Sequence, residues 1–253
     1  MELYKKLDVF TDYWFEASTH TYTYNNVPVK TSVTQFISNF VKPFEKEKWL
    51  EIKSKKLGIT PEELALQWKE KANISSETGT IFHAFMENSL AGKGYDFHGN
   101  VNTTTSYQEI VHNNLDLLVP LGERFIAESK HHLIPIRSEL TVGIRDCIAG
   151  QIDQLFYNTA SGKLEIWDWK TNNEIRMTSP FKENMLGVLC MLDACEYTEY
   201  SLQLNLYKGI LKYHGIETGD CYFVWFNRNK KQYSCYKCLD LSFYVQKFIS
   251  SFS

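Results

Sequence analysis

The chain has little of what marks a membrane, secreted or nucleic-acid-coating protein. None of its apolar runs approaches the roughly 20 residues needed to span a bilayer. Its first residues, MELYKKLDVFTDYWF, carry acids and no apolar core, which argues against a secretory or organellar import signal. Six cysteines spread through 253 residues do not make a secreted disulfide framework and fit a reducing cytosol. With 27 basic against 30 acidic residues the formal charge is −3, so bulk attraction does not coat nucleic acid with this protein. A phosphodiester-cutting enzyme needs only a local cationic path and acids that hold metal, so mild acidity leaves that class open. There is no internal repeat and no low-complexity linker. The expectation is a cytoplasmic protein with no membrane partner.

A hydrophobic share of 43% supplies a real core, and the order of patterns suggests one α/β domain. Residues 13–30 read as a hairpin turning at Asn25-Asn26, with aromatic and β-branched residues around the turn. Ser32-Val33-Thr34-Gln35 fits a capping box that opens a short helix to about residue 40. Residues 45–57 read as a charged helix stopped by Gly58. Thr60-Pro61-Glu62-Glu63 is a second capping box, opening a helix to about residue 72. A separate helix is expected over 76–91, then a polar loop over 92–102. Helical periodicity resumes over 105–130, where Pro120 predicts a kink or break. From residue 133 the texture turns to strands, with an irregular stretch over 171–199 and a helix over 200–213. Strands over 221–227 and 232–238 and a terminal helix over 241–250 complete the chain. The economical reading is one α/β core (76–253) with an N-terminal hairpin and helical elaboration (1–75).

The chemistry concentrates in residues 148–171, IAGQIDQLFYNTASGKLEIWDWKT. Two strands, 148–157 and 163–170, flank a turn at Asn158, Ser161 and Gly162. Strand side chains alternate, so Leu164, Ile166, Asp168 and Lys170 share one face. An acid and a lysine therefore stand together at the end of an apolar strand, with Asp153 on the neighbouring strand. Carboxylates so placed can hold a hard divalent cation, and a lysine beside them can orient or deprotonate a water. A surface ion pair is the plain alternative. Three further features point the same way. His83 and Glu87 sit at i and i+4 on one helix face, as do Gln203 and Tyr207 on another. Glu139 lies on the strand leading into the site. Each has an ordinary reading by itself: a packing histidine, an amphipathic helix, a solvated acid.

Taken in order, a helix histidine, Gly150-Gln151-Ile152-Asp153, Asp168-Trp169-Lys170-Thr171 and Gln203-Leu204-Asn205-Leu206-Tyr207 resemble the PD-(D/E)XK nuclease superfamily, RecB-type branch. His20-Thr21-Tyr22 and Ser32-Val33-Thr34 resemble elements of phage-type members and of the mitochondrial genome maintenance exonucleases. One departure is Ile152-Asp153 where the superfamily usually has proline-aspartate. The resemblance covers about residues 20–228. It implies a restriction-endonuclease-like core, a central mixed sheet flanked by helices, in a bacterial or phage-infected cell. It also implies metal ligation by His83, Asp153, Asp168 and the Trp169 carbonyl. Lys170 would position or activate the nucleophilic water. Gln203 and Tyr207 would contact DNA or brace the lysine, and Glu87 and Glu139 match acidic positions of relatives. The implied cofactor is Mg²⁺, with Mn²⁺ accepted by the same oxygen and imidazole ligands. Some relatives carry an iron–sulfur cluster. They take one cysteine from upstream of the helix histidine, whereas the first cysteine here is Cys147, which argues against one.

The expected activity is a metal-dependent DNA exonuclease working from free single-stranded or flapped ends in replication, recombination or repair. It would leave 5′-phosphates, with a replication or recombination protein as a possible further partner. A structure-specific endonuclease on the same core and a non-catalytic DNA-binding scaffold are the alternatives. Ser32, Thr34 and Thr171 are candidate DNA contacts, the first two at a helix start that caps the helix or cradles a phosphate. Lys30, Lys42, Arg137, Arg145, Arg176 and Lys182 are candidate phosphate contacts among which the sequence does not choose.

Overall fold

One strand, β6 (Ile148–Asn158), has three neighbours in the main sheet. Along one edge it pairs antiparallel with β5 (Leu133–Ile144) over nearly its whole length. Its other edge is shared. The start pairs parallel with the two-residue β4 (Thr31–Ser32), through Thr31↔Ile148 and Ser32↔Ala149. The end pairs antiparallel with β7 (Lys163–Lys170), from Gln154↔Trp167 to Asn158↔Lys163. Residues 150–153 lie between these two ladders, where the sheet opens. β7 continues into parallel pairing with β8 (Cys221–Asn227), and β8 pairs antiparallel with β9 (Gln232–Lys237). The computed structural model describes residues 2–17 and 19–252. It is a mixed α/β fold, a mixed central sheet flanked by helices. Among the described residues no helix is long and apolar enough to cross a membrane.

Alternation along β7 divides its side chains between two cores. Leu164 and Ile166 enter one buried cluster, and Trp167 and Trp169 enter the other. On the Leu164 face lie α2 (Val33–Ser38), α6 (Glu196–Tyr213) and α7 (Ser242–Ser251), which contribute Val33, Ile37, Leu202, Leu206, Ile210 and Val245. The Trp169 face is covered by α4 (Pro61–Leu90) and α5 (Gln108–Ser129), through Phe82, Phe85, Met86, Leu115, Leu118 and Phe125. Gly122 permits that helix pair to close, because a Cβ there would stand 2.7 Å from the Met86 sulfur. Burial of these side chains on both faces contributes about 1.5–3 kcal/mol each.

The helix reading changes in three places. The segments expected as separate helices over 60–72 and 76–91 are one 30-residue helix, α4. Asn73, Ile74, Ser75 and Ser76 lower helix propensity without breaking it, since none removes an N–H or demands a positive φ. Pro120 neither ends nor splits α5, which runs through it from Gln108 to Ser129; burial of the flanking Leu118, Val119 and Leu121 outweighs the lost hydrogen bond. Helix α6 begins at Glu196, four residues earlier than expected. Both capping boxes form, on Ser32 with Gln35 and on Thr60 with Glu63, and Gly58 ends α3 (Lys46–Leu57) at a φ of 70°. The N-terminal hairpin is a small sheet of β1 (Tyr13–Glu16), β2 (Thr21–Tyr24) and β3 (Val27–Pro28), turning at Asn25-Asn26 with positive φ at both.

A boundary at residue 75 falls inside α4. Before it, Phe10, Tyr13, Val33 and Ile37 are part of the core on the α6 side, and β4 belongs to the main sheet. The residues of α3 and of the first turns of α4 belong to neither cluster.

Candidate metal centre

The opening between β4 and β7 is where the chemistry gathers. Beyond Gln154↔Trp167 the β6–β7 ladder ends, yet the Trp169 amide still points towards β6. There it donates to Asp153 Oδ2 at 2.7 Å, so a carboxylate takes the place of a ladder carbonyl. That bond fixes Asp153 at the mouth of the opening. From the α4 side His83 places Nε2 at 3.1 Å from the Trp169 carbonyl. A carbonyl only accepts, so Nε2 donates there and Nδ1 is the ring nitrogen left to face the opening. Nδ1 faces Asp153 Oδ2 at 3.5 Å and Glu139 Oε1 at 3.9 Å. One ligand atom from each of His83, Glu139 and Asp153 falls within 4.8 Å of the others.

The group fits a divalent cation on a physical test. Glu139 Oε1 is buried with no hydrogen-bond partner, and so is Asp168 Oδ2 apart from its ion pair. Orphaned buried oxygens cost stability unless something else satisfies them. Burial, then the neighbouring charges of Asp153, Glu87 and Asp168, push the Glu139 carboxyl up to about 9. Glu139 also holds a left-handed φ of 47° inside a strand, a conformation costly for a non-glycine residue and concentrated at functional sites. Two carboxyl groups and one imidazole with its other nitrogen committed could hold a metal ion.

Asp168 and Lys170 emerge on the opposite face, beside α6. Lys170 Nζ is 2.6 Å from Asp168 Oδ2, and both side chains are nearly enclosed. Burial alone lowers the Lys170 pKa, but the carboxylates of Asp168 and Asp153 outweigh it and hold the ammonium above the ordinary lysine value. The Asp168 carboxyl is raised, by burial first and Asp153 second, with Lys170 opposing. Lys170 Nζ also lies 3.5 Å from Gln203 Oε1, and Gln203 Nε2 donates to the Tyr207 hydroxyl at 3.1 Å. The Tyr207 ring lies against Gly150, where a Cβ would come within 2.6 Å of it. Gly150 is thus the residue that admits the α6 side chains to β6.

The structure brings together His83, Asp153, Asp168, Trp169, Lys170, Gln203 and Tyr207. Two details differ from the implied ligand set. Asp168 is turned to Lys170 and is not among the three converging ligand groups, whereas Glu139 is. The Trp169 carbonyl accepts from His83. Glu87 lines a cleft together with Glu139. Ser32 is engaged as the cap of α2, accepting from the Gln35 amide at 3.1 Å and lying 3.0 Å from Thr34 Oγ1. Thr171 follows Lys170, and its carbonyl accepts from Arg228 at 3.0 Å. Tyr200 is the residue that sequence reasoning missed: its ring centre is 4.2 Å from Lys170 Nζ. Its spacing of three from Gln203, one helical turn, was the available signal. All six cysteines are free, and among the described residues no cysteine belongs to a metal-holding group.

No family model matches this chain, and no curated protein matches it either.

Proposed function

We propose that this protein is a divalent-cation-dependent deoxyribonuclease of the PD-(D/E)XK superfamily, RecB-type branch, acting as an exonuclease on free single-stranded or flapped DNA ends. The observation that carries the reading is the junction of two half-sites across β7. The His83–Glu139–Asp153 group on one side and the Lys170–Asp168–Gln203 group on the other share the backbone of residues 168–170. A surface ion pair needs neither the orphaned oxygen of Glu139 nor an enclosed lysine.

When bound, a divalent cation there would supply charge to a phosphate oxygen and lower the pKa of a coordinated water. The chain's own residues do the rest. Asp153, fixed by the Trp169 amide, and His83, fixed by the Trp169 carbonyl, present preset ligand atoms. Lys170 is protonated, so it offers N–H donors and positive charge to an attacking water or a phosphate oxygen and leaves proton abstraction to another base. Asp168 and Gln203 limit its rotamers, and Tyr207 in turn orients Gln203. The enclosed setting strengthens each of these interactions relative to water.

The test is digestion of end-labelled single-stranded, duplex and flap DNA with Mg²⁺, with Mn²⁺ and with EDTA. Linear strands should shorten progressively with either metal, leave 5′-phosphates and survive in EDTA, while closed single-stranded circles stay intact. Rapid cutting of circles would replace the exonuclease with an endonuclease on the same core.

A further inference from the structure

An open cleft runs from the candidate metal centre between the C-terminal end of α4 and the first half of β5, with a volume of about 460 Å³. Its inner end carries Glu139 and Glu87, its walls are Leu90, Ala91, Pro135 and Ile136, and Arg137 is its one cation. We infer that this cleft seats one nucleotide unit of the substrate strand, with Arg137 holding that unit's phosphate. The inference rests on the nuclease reading, since it concerns how the strand reaches that centre.

The strand is shaped for this. Its register against β6 shifts between Pro135 and Arg137, and Glu139 takes the left-handed φ. Bulges bend a strand and re-aim side chains beside active sites. Arg137 lies two residues from Glu139, roughly 7 Å along a strand, about one nucleotide step in an extended chain. Neither Glu87 nor Glu139 supplies a positive charge at the inner end, so the phosphate that binds by protein cation alone belongs at the Arg137 end. Leu90, Ala91, Pro135 and Ile136 give sugar and base an apolar surface to lie on without hydrogen-bond readout.

Three of the other five candidate cations are already engaged, and neither Arg145 nor Lys182 lines this cleft. Lys30 pairs with Asp146, Lys42 with Glu183, and Arg176 with Glu174 and Glu196. Arg137 is exposed, and among the described residues it makes no ion pair despite two acids in the same cleft. Its planar fork is free for bidentate phosphate recognition. Ser138 is committed elsewhere, with its hydroxyl on Gln154 Oε1 at 2.6 Å.

The test compares wild type, Arg137→Ala, Arg137→Lys and Ala91→Trp by anisotropy of a fluorescent oligonucleotide in Ca²⁺ and by cleavage in Mg²⁺. Arg137→Ala should weaken binding roughly ten- to a hundredfold, the loss of one charged hydrogen-bonded contact. The slope of log affinity against log salt should fall by roughly 0.7, one single-strand phosphate contact. Arg137→Lys should recover part of the affinity, and Ala91→Trp should lower both binding and kcat/KM by filling the cleft. An Arg137→Ala variant with wild-type affinity and salt slope overturns the inference, as does an Ala91→Trp variant with unchanged kcat/KM. Binding that depends on Arg137 in a protein that never cleaves DNA would keep the nucleotide seat and discard the nuclease reading.

Discussion

Lys170 Nζ sits 4.2 Å from the centre of the Tyr200 ring while its charge is paired 2.6 Å away with Asp168. A carboxylate and an aromatic face hold one ammonium from two directions. Cation–π attraction contributes about 0.5–2 kcal/mol, more as the site dries. The Tyr200 hydroxyl accepts from Asn172 at 2.8 Å, and the Asn172 carbonyl accepts from Trp225 at 2.7 Å, so the ring is anchored. Tyr200 is a positioning residue. Tyr200→Phe keeps the ring and should retain most activity. Tyr200→Leu should lower kcat about tenfold with little change in KM and shift the alkaline limb of the pH–rate profile to lower pH. Equal activity in both variants would remove Tyr200 from the site.

Lys170→Ala should abolish cleavage, by more than a hundredfold, while leaving affinity for a labelled oligonucleotide within about threefold. Binding and cleavage are to be measured on the same preparation. Cutting at the wild-type rate would show that Lys170 does not take part.

Glu139 gives a pH dependence with a definite sign. Its carboxyl is raised to about 9 in the folded, cation-free protein and is ordinary, about 4.3, when unfolded. Between those values the native state binds the extra proton, so the cation-free protein should lose stability as pH rises from about 4.5 towards 9. Mn²⁺ should offset that loss, with a thermal shift that grows with pH. Glu139→Gln should flatten the dependence, raise the cation-free melting temperature at pH 8 and weaken Mn²⁺ binding at least tenfold. A cation-free wild type that gains stability over that range contradicts the burial of this acid.

Gly150→Ala should cost about 1–3 kcal/mol, because its methyl would stand 2.6 Å from the Tyr207 ring and the enclosed side chain has little room to retreat. Denaturant unfolding checks the stability. Activity should fall further than stability alone explains, since a displaced Tyr207 releases Gln203 from Lys170. Ala149, equally buried on the same strand, serves as control through Ala149→Gly, which should not disturb the rate per folded molecule.

The order of strands and helices from residue 133 onward, the two capping boxes, the Gly58 stop and the Asn25-Asn26 turn were legible in the sequence, because each rests on interactions within a few residues. So was the shared face of Asp168 and Lys170, which needs only the two-residue strand period. Tertiary packing decided the rest. Whether residues 73–76 break a helix and whether Pro120 ends one depended on what those helices bury, which no local propensity contains. That Glu139 joins His83 and Asp153, that Asp168 turns to Lys170, and that Tyr200 lies over the ammonium depend on where β6, β7, α4 and α6 meet. His83, Asp153 and Tyr200 stand tens of positions apart in the chain, and only the fold sets the few ångströms on which charge pairing, ligation and pKa depend.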